Sequence, residues 1–307
     1  MIKIMNLKKY YGNVKAVDGL NLNIKEGEIF GFVGPNGAGK TTTLKMIATL
    51  LKKDSGKILF NEKEIEEDVF ETRNIIGYMP DFFGVYDKLK VIEYLDFYAD
   101  IHQVKGNRDK IFNDLLELVE LTDKKDEYVD SLSRGMKQRL CLARALVHNP
   151  KILLLDEPAS GLDPRARVQM KGILLELRKM GKTIIISSHI LPELAEICTL
   201  IGIINKGKMV SVGSIEEINY EIHGNSPFEF RFDNDIKFVE RSLKEMINID
   251  IIEIEEKHAF ISATSDIEDY DVLKELVMKN IKVTEFIKKE SNLEDLFMKL
   301  TRDDEND

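Results

Sequence analysis

The chain has 307 residues, of which 43% are apolar and 32% are charged, a composition typical of a folded globular protein rather than a disordered one. Its net charge of −10 is unevenly spread: positions 1–213 carry +3 and positions 214–307 carry −13, and so acidic a C-terminal third disfavours nucleic acid as a partner. No apolar run approaches the roughly 18–20 residues that cross a bilayer, so we expect the chain to stay in the cytoplasm.

Up to Gly213, short apolar runs typical of buried strands alternate with amphipathic runs typical of helices. This alternation predicts an α/β domain over 1–213 with a largely parallel sheet. The predicted strands are Ile29–Val33, Lys57–Phe60, Ile75–Met79, Ile152–Leu155, Thr183–Ser187 and Leu200–Ile204. The predicted helices are Lys40–Leu51, Arg108–Leu121, Gly135–Val147 and Pro164–Met180. The stretch Val91–Asp130 is mainly helical, which predicts a helical subdomain, at about 82–150, inserted in the sheet domain.

Beyond Gly213 the pattern changes, and it predicts a second, smaller domain over 214–307. Its predicted strands are Phe228–Phe232, Ile249–Ile254, Ala259–Thr264 and Ile281–Ile287. Its predicted helices are Ile236–Met246, Ile267–Met278 and a last one at Leu293–Leu300, capped by Ser291 or Asn292. The order strand–helix–strand–strand–helix–strand is that of a ferredoxin-like α/β domain.

The segment Gly34–Thr41 has the spacing G-x-x-x-x-G-K-[ST] and lies between a predicted strand and a predicted helix. Its glycines allow consecutive backbone N–H groups to converge on phosphate oxygens, and the helix N-terminus adds a positive dipole end. Lys40 is expected to reach the β- and γ-phosphates of a nucleotide, and the Thr41 hydroxyl to bind Mg²⁺. The expected nucleotide contacts in this segment are Asn36, Gly37, Gly39, Lys40, Thr41 and Thr42.

A second cluster of functional groups follows the apolar strand Ile152–Leu155, which ends in two acids, Asp156 and Glu157. Asp156 is placed to hold Mg²⁺ through water, and Glu157 to polarise the attacking water as a general base. An acidic pair at a strand end is weak evidence by itself. Beside a phosphate-binding loop, it indicates nucleotide hydrolysis.

Further segments resemble those of ABC-type ATPases. Ser131–Arg139 resembles the family's signature segment, Ser160–Asp163 its D-loop and Ser187–His189 its H-loop. Tyr11 lies where the family stacks an aromatic ring on adenine. With the phosphate loop, these motifs stand in the family's order over 1–213, so the resemblance implies a P-loop ATPase of the ABC type that uses ATP and Mg²⁺.

The resemblance also implies a second ATPase subunit, and we expect a homodimer. In this family the nucleotide lies between the phosphate loop of one subunit and the signature segment of the other. Ser133 and the Gly135 N–H would therefore contact the γ-phosphate in trans, as a helix N-terminus can. His189 would contact the γ-phosphate and hold Glu157 and its water in line, although an isolated histidine is more often a simple packing residue.

Two positions depart from the family pattern. Asp81 stands where the family usually has Gln; it is expected to bind Mg²⁺, but an ionised carboxylate cannot donate a hydrogen bond. Arg134 stands where the signature usually has Gly. Its cation would either attract the triphosphate in trans or crowd the interface, and we favour attraction.

Positions 215–307 resemble the C-terminal extension of bacterial exporter subunits that pair with a separate permease, and Ser291–Thr301 is similar to how those chains end. The resemblance implies an ATP-hydrolysing subunit that powers an integral membrane permease, as an exporter, at the cytoplasmic face of the cell membrane. Phe82–Tyr86 and the helical insert would receive the permease. The alternative is a non-transport ABC ATPase acting on ribosomes or DNA. The single phosphate loop, the absence of a long heptad array and the acidic C-terminal third disfavour it.

Overall fold

A computed structural model describes residues 1–81, 84, 88–215, 217–218, 228–246, 249–263 and 269–288. The chain divides into two compact units, Met1–Val212 and Gly213–Asp307. The predicted last helix at Leu293–Leu300, the Ser291–Thr301 ending and most of Phe82–Tyr86 lie outside the described residues. In the part of the chain that the structure describes, no helix has the length and apolar content needed to cross a bilayer.

The first unit is built from strands and helices that alternate along much of the chain. The strands are β1 (Ile2–Tyr11), β2 (Val14–Ile24), β3 (Ile29–Val33), β4 (Ser55–Phe60), β5 (Lys63–Glu64), β6 (Ile76–Met79), β7 (Ile152–Asp156), β8 (Thr183–Ser188), β9 (Leu200–Asn205) and β10 (Lys208–Gly213). The helices are α1 (Lys40–Ile47), α2 (Val69–Ile75), α3 (Val91–Ile101), α4 (Arg108–Leu118), α5 (Arg134–Leu146), α6 (Pro164–Lys179) and α7 (Leu191–Ala195).

The central sheet has the strand order β10-β9-β3-β8-β7-β6. Strand β3 pairs in parallel with β8 and β9, and β7 pairs in parallel with β6 and β8, which confirms the predicted parallel sheet. Strands β3, β7 and β8 are buried over their whole length, as expected of strands covered on both faces. Since parallel strands end at the same sheet edge, the segments that follow β3, β7 and β8 come together there.

A smaller sheet, with the order β2-β1-β4-β5, packs its apolar side chains into the same core. The sequence pattern does not predict strands β1 and β2. Their antiparallel register shifts between Ile4 and Leu7 and again after Leu7, and Asn6 has a positive φ of 47°. These irregularities interrupt the simple alternation by which a strand is recognised in a sequence.

The helical insert is present, with α3, α4, α5 and short 3₁₀ turns over the described residues 88–150. Its packing centres on Tyr94, Leu95, Leu116 and Leu140, all fully buried. Polar side chains mark where these helices begin. The Asn107 side chain caps α4, and the Ser133 side chain accepts a hydrogen bond from the Met136 N–H at the start of α5.

The second unit contains β11 (Phe228–Phe232), α8 (Ile236–Lys244), β12 (Ile249–Ile254), β13 (His258–Ala263), α9 (Asp269–Met278) and β14 (Val283–Lys288). Its sheet has the order β12-β13-β11-β14 with antiparallel pairing. Phe228, Phe230 and Phe232 alternate into its core. The order of elements over 228–288 is the predicted one, and the ferredoxin-like assignment stays a prediction.

Candidate active site

The phosphate loop begins where β3 ends and continues directly into α1. Gly37 and Gly39 have positive φ values of 83° and 108°, a conformation that glycine adopts readily and other residues rarely. A Cβ atom on Gly39 would lie 2.3 Å from the Ala16 carbonyl oxygen. Gly39 is also the N-cap of α1 and supplies no side-chain hydrogen bond to the helix. The first N–H groups of α1 are therefore directed at the loop, where an anion can accept them.

We expect Gly39→Ala to destabilise the first unit by about 1–3 kcal/mol, because the new methyl group meets backbone and the φ value is strained. The matched control is Gly172→Ala on α6. Gly172 is exposed, and an added Cβ has no heavy atom within 4 Å. That change should instead stabilise by about 0.5–1 kcal/mol, because alanine is the better helix former. Urea unfolding midpoints measure both effects, and equal midpoints for the two variants would contradict the prediction.

Lys40 lies within the loop rather than in solvent. Its ammonium donates to the carbonyl oxygens of Gly34 at 2.7 Å and Pro35 at 3.2 Å, and its side chain is only 6% exposed. A carboxylate oxygen of Glu157, Oε1, is 3.6 Å from the Lys40 nitrogen. Burial lowers the pKa of Lys40, and the negative charge of Glu157 opposes that shift. The lysine and the proposed base are therefore electrostatic partners across the site.

Asp156, at the end of β7, is held by two hydroxyl groups. The Thr41 hydroxyl donates to its Oδ1 at 3.0 Å, and the Ser187 hydroxyl donates to the same oxygen at 2.6 Å. Asp156 is 1% exposed, so these bonds fix the orientation of a buried carboxylate. The sequence identifies Ser187 only as part of the H-loop motif and does not predict its contact with Asp156. The contact follows from the parallel register of β7 and β8, which places Ser187 opposite Asp156 and which the sequence does not give.

Glu157 and His189 form a contacting pair at the same sheet edge. His189 Nδ1 is 2.9 Å from Glu157 Oε2, and Nδ1 is the donor because an ionised carboxylate only accepts. Glu157 has a positive φ of 51°, and its N–H donates to the Ser187 hydroxyl at 3.0 Å. Its side chain is 12% exposed and that of His189 is 45% exposed. The carboxylate thus sits at the floor of the site with a histidine at its rim.

One pocket of about 280 Å³ is lined by residues 36–42 together with Asp81, Glu157, Ser160 and His189, and Asp156 lies buried behind Thr41. Burial raises the pKa of Asp81, as do the nearby charges of Asp156 and Glu157, while Arg134 and His189 oppose the shift. Within the described residues, no cluster of three or more His, Cys, Asp or Glu side chains is suited to hold a metal alone. A hydroxyl beside a carboxylate, as in Thr41 and Asp156, does fit Mg²⁺, which commonly takes few protein ligands along with phosphate oxygens and water.

Three predicted nucleotide contacts, Tyr11, Ser133 and Gly135, are not among the residues that line this pocket. Tyr11, at the end of β1, is 51% exposed. Ser133 caps α5, and a Cβ on Gly135 would lie 3.1 Å from the Ala166 Cβ. Ser133 and Gly135 therefore lie outside the pocket of their own chain, and their contact with the γ-phosphate stays a prediction.

A strand–loop–helix phosphate site at the carboxyl edge of a parallel sheet, with an acidic pair ending a neighbouring strand, defines a P-loop nucleoside triphosphatase. A family model described as ABC transporter matches residues 17–160. The linearmycin resistance ATP-binding protein LnrL of Bacillus subtilis is 32% identical over 98% of both chains. The bacitracin transport ATP-binding protein BcrA of Bacillus licheniformis is 35% identical, over 98% of this chain and 97% of its own. The chain belongs to the ABC transporter family and is an ATP-binding, ATP-hydrolysing subunit.

The solved structures that resemble the chain agree with this fold. A bacterial ABC transporter cassette solved as a dimer has a TM-score of 0.64 and 29% identity, covering 70% of this chain and 99% of its own. The predicted P-loop ATPase fold of the ABC type is therefore confirmed for the first unit.

Proposed function

We propose that the chain powers a separate integral membrane permease, as an exporter, at the cytoplasmic face of the cell membrane. The observation that carries this proposal is the full-length similarity to LnrL and BcrA, which includes the second unit as well as the ATPase unit. One relative is named for resistance to linearmycin and the other for transport of bacitracin. Removal of a toxic compound from the cell is the direct way in which a transport ATPase gives resistance, and this supports export.

In the proposed reaction, ATP binds with its phosphates on the loop N–H groups and Lys40, with Asn36, Gly37, Gly39, Thr41 and Thr42 around them and Tyr11 against the adenine. Bound Mg²⁺ would neutralise charge on the phosphate oxygens, and Thr41, Asp156 and Asp81 are the residues proposed to hold it, directly or through water. Glu157 accepts a proton from the attacking water as general base. His189 orients the Glu157 carboxylate through their 2.9 Å contact.

We further propose that two copies of the chain form the working unit. Ser133 caps α5, so the Gly135 N–H lies in the first turn of a helix whose positive end suits an anion. In a homodimer this end would contact the γ-phosphate of the ATP held by the other subunit. The dimeric structure of the similar bacterial cassette supports a dimer of this chain.

The test is purification of the tagged chain from membranes of its native host in mild detergent. We expect it to bring down a small integral membrane protein encoded beside it, and we expect the purified complex to hydrolyse ATP faster than the chain alone. An untagged strain controls for non-specific capture. The competing function, action on ribosomes or DNA, predicts the opposite outcome, namely co-purification with ribosomes or stimulation of ATPase activity by DNA.

A further inference from the structure

Arg134 is turned onto its own chain. It is the first residue of α5, and its Nη2 donates to the Ser160 carbonyl oxygen at 3.1 Å. A Cβ atom added to Gly161 would lie 2.4 Å from the Arg134 Cζ, so the guanidinium plane packs against the backbone of Gly161. Gly161 also has a positive φ of 65°. The guanidinium can pack here because Gly161 has no side chain.

The turn that Arg134 contacts begins at Glu157. The Ser160 N–H donates to the Glu157 carbonyl oxygen at 3.1 Å, and Ser160 lines the phosphate pocket together with Glu157. Glu157 has a left-handed backbone conformation, which persists in a non-glycine residue when its surroundings hold it. A second α5 side chain, Gln138, places its Nε2 3.4 Å from the same Ser160 oxygen. The start of α5 therefore holds the turn Glu157–Gly161.

We propose that Arg134 is a positioning residue for ATP hydrolysis, which holds the Glu157–Gly161 turn of its own subunit so that the Glu157 carboxylate faces the attacking water. This inference rests on the proposed role of Glu157 as general base. It differs from a contact with phosphate in trans, because the Arg134 guanidinium forms its hydrogen bond with Ser160 and packs on Gly161 of its own subunit. Arginine suits the task, since its planar fork both stacks and donates, whereas the lysine ammonium is a point charge.

The test compares Arg134→Ala and Arg134→Lys with the unchanged chain in steady-state ATP hydrolysis. A misplaced base slows the chemical step, so we expect Arg134→Ala to lower kcat about 10-fold or more with KM within about twofold. Arg134→Lys keeps one donor and should recover part of kcat. Arg178→Ala, an exposed arginine in the last turn of α6, is the matched control and should leave both constants unchanged. Thermal unfolding of each variant separates loss of folding from loss of kcat.

A second comparison distinguishes the two roles of Arg134. In a Glu157→Gln background, adding Arg134→Ala should not change the ATP concentration at which the dimer forms. If Arg134 contacts phosphate in trans, dimerisation in this background will instead require more ATP. The single variant Arg134→Ala will then have a raised KM at unchanged kcat. That outcome overturns the proposal. Turnover of Glu157→Gln alone reports on the general base, so failure of that role is recognised independently of Arg134.

Gly161→Ala gives an independent check, because its methyl group would occupy the place of the guanidinium. We expect it to lower kcat as Arg134→Ala does. Since both changes act on one contact, the double variant should be no slower than the slower single variant. Losses that multiply would show that Arg134 acts elsewhere than on this turn.

Discussion

Glu157→Gln is expected to lower ATP turnover by about 10²–10⁴-fold while ATP binding is retained, the range measured for the loss of a general base. Glutamine has the size of glutamate and its side-chain oxygen can still accept from His189 Nδ1, which lies 2.9 Å from Glu157 in the native chain. It cannot take a proton from water. Phosphate release at saturating ATP measures turnover, and nucleotide retained on the protein measures binding.

The same variant should accumulate as an ATP-bound dimer, observed by size-exclusion chromatography with light scattering. Adding Ser133→Ala should weaken that dimer, since Ser133 is proposed to complete the site of the other subunit. Glu176→Gln, on the exposed face of α6, is the matched control and should leave turnover and oligomeric state unchanged. Turnover at the native rate in Glu157→Gln would remove Glu157 from the role of base.

Lys40→Met is expected to weaken ATP binding by about 100-fold or more. Methionine keeps the aliphatic stem in the loop but removes the ammonium, and hydrogen bonds to charged groups contribute about 1.5–3 kcal/mol each. Lys45→Met is the matched control, because Lys45 lies exposed on the same helix. Isothermal titration with ATP measures both affinities. If Lys40→Met left the ATP affinity unchanged and Lys45→Met weakened it, Lys40 would not be the lysine that binds the phosphates.

The central sheet was predictable because its strands are continuous apolar runs, and such runs keep their pattern whatever packs against them. Strands β1 and β2 were missed because register shifts break their alternation. Helix α1 ends at Ile47 rather than at the predicted Leu51. Two residues after its end, Thr49 adopts a positive φ of 57°, which is not helical. The spacing of apolar residues indicates that a helix is present, but it does not show where a turn such as the one at Thr49 ends it.

The candidate site shows the same division between local and long-range information. The phosphate loop, Asp156 and Glu157 were recognisable because each motif is short and follows its own strand. The contacts of Arg134 were not, because they depend on the open backbone of Gly161, which lies on another segment of the chain. From sequence alone Arg134 is a cation near a triphosphate. Only the packing shows that its guanidinium faces its own subunit.

The contact between Lys40 and Glu157 has a consequence for the enzyme before ATP arrives. The cation that is to meet the phosphates and the carboxylate that is to activate water are each other's counterions, 3.6 Å apart. Incoming ATP exchanges one anion for another at Lys40, so the buried ammonium has an anionic partner before and after the nucleotide binds. Glu157 loses its counterion as the substrate binds. The ion pair of Lys40 and Glu157 is thus separated only when there is a phosphate for water to attack.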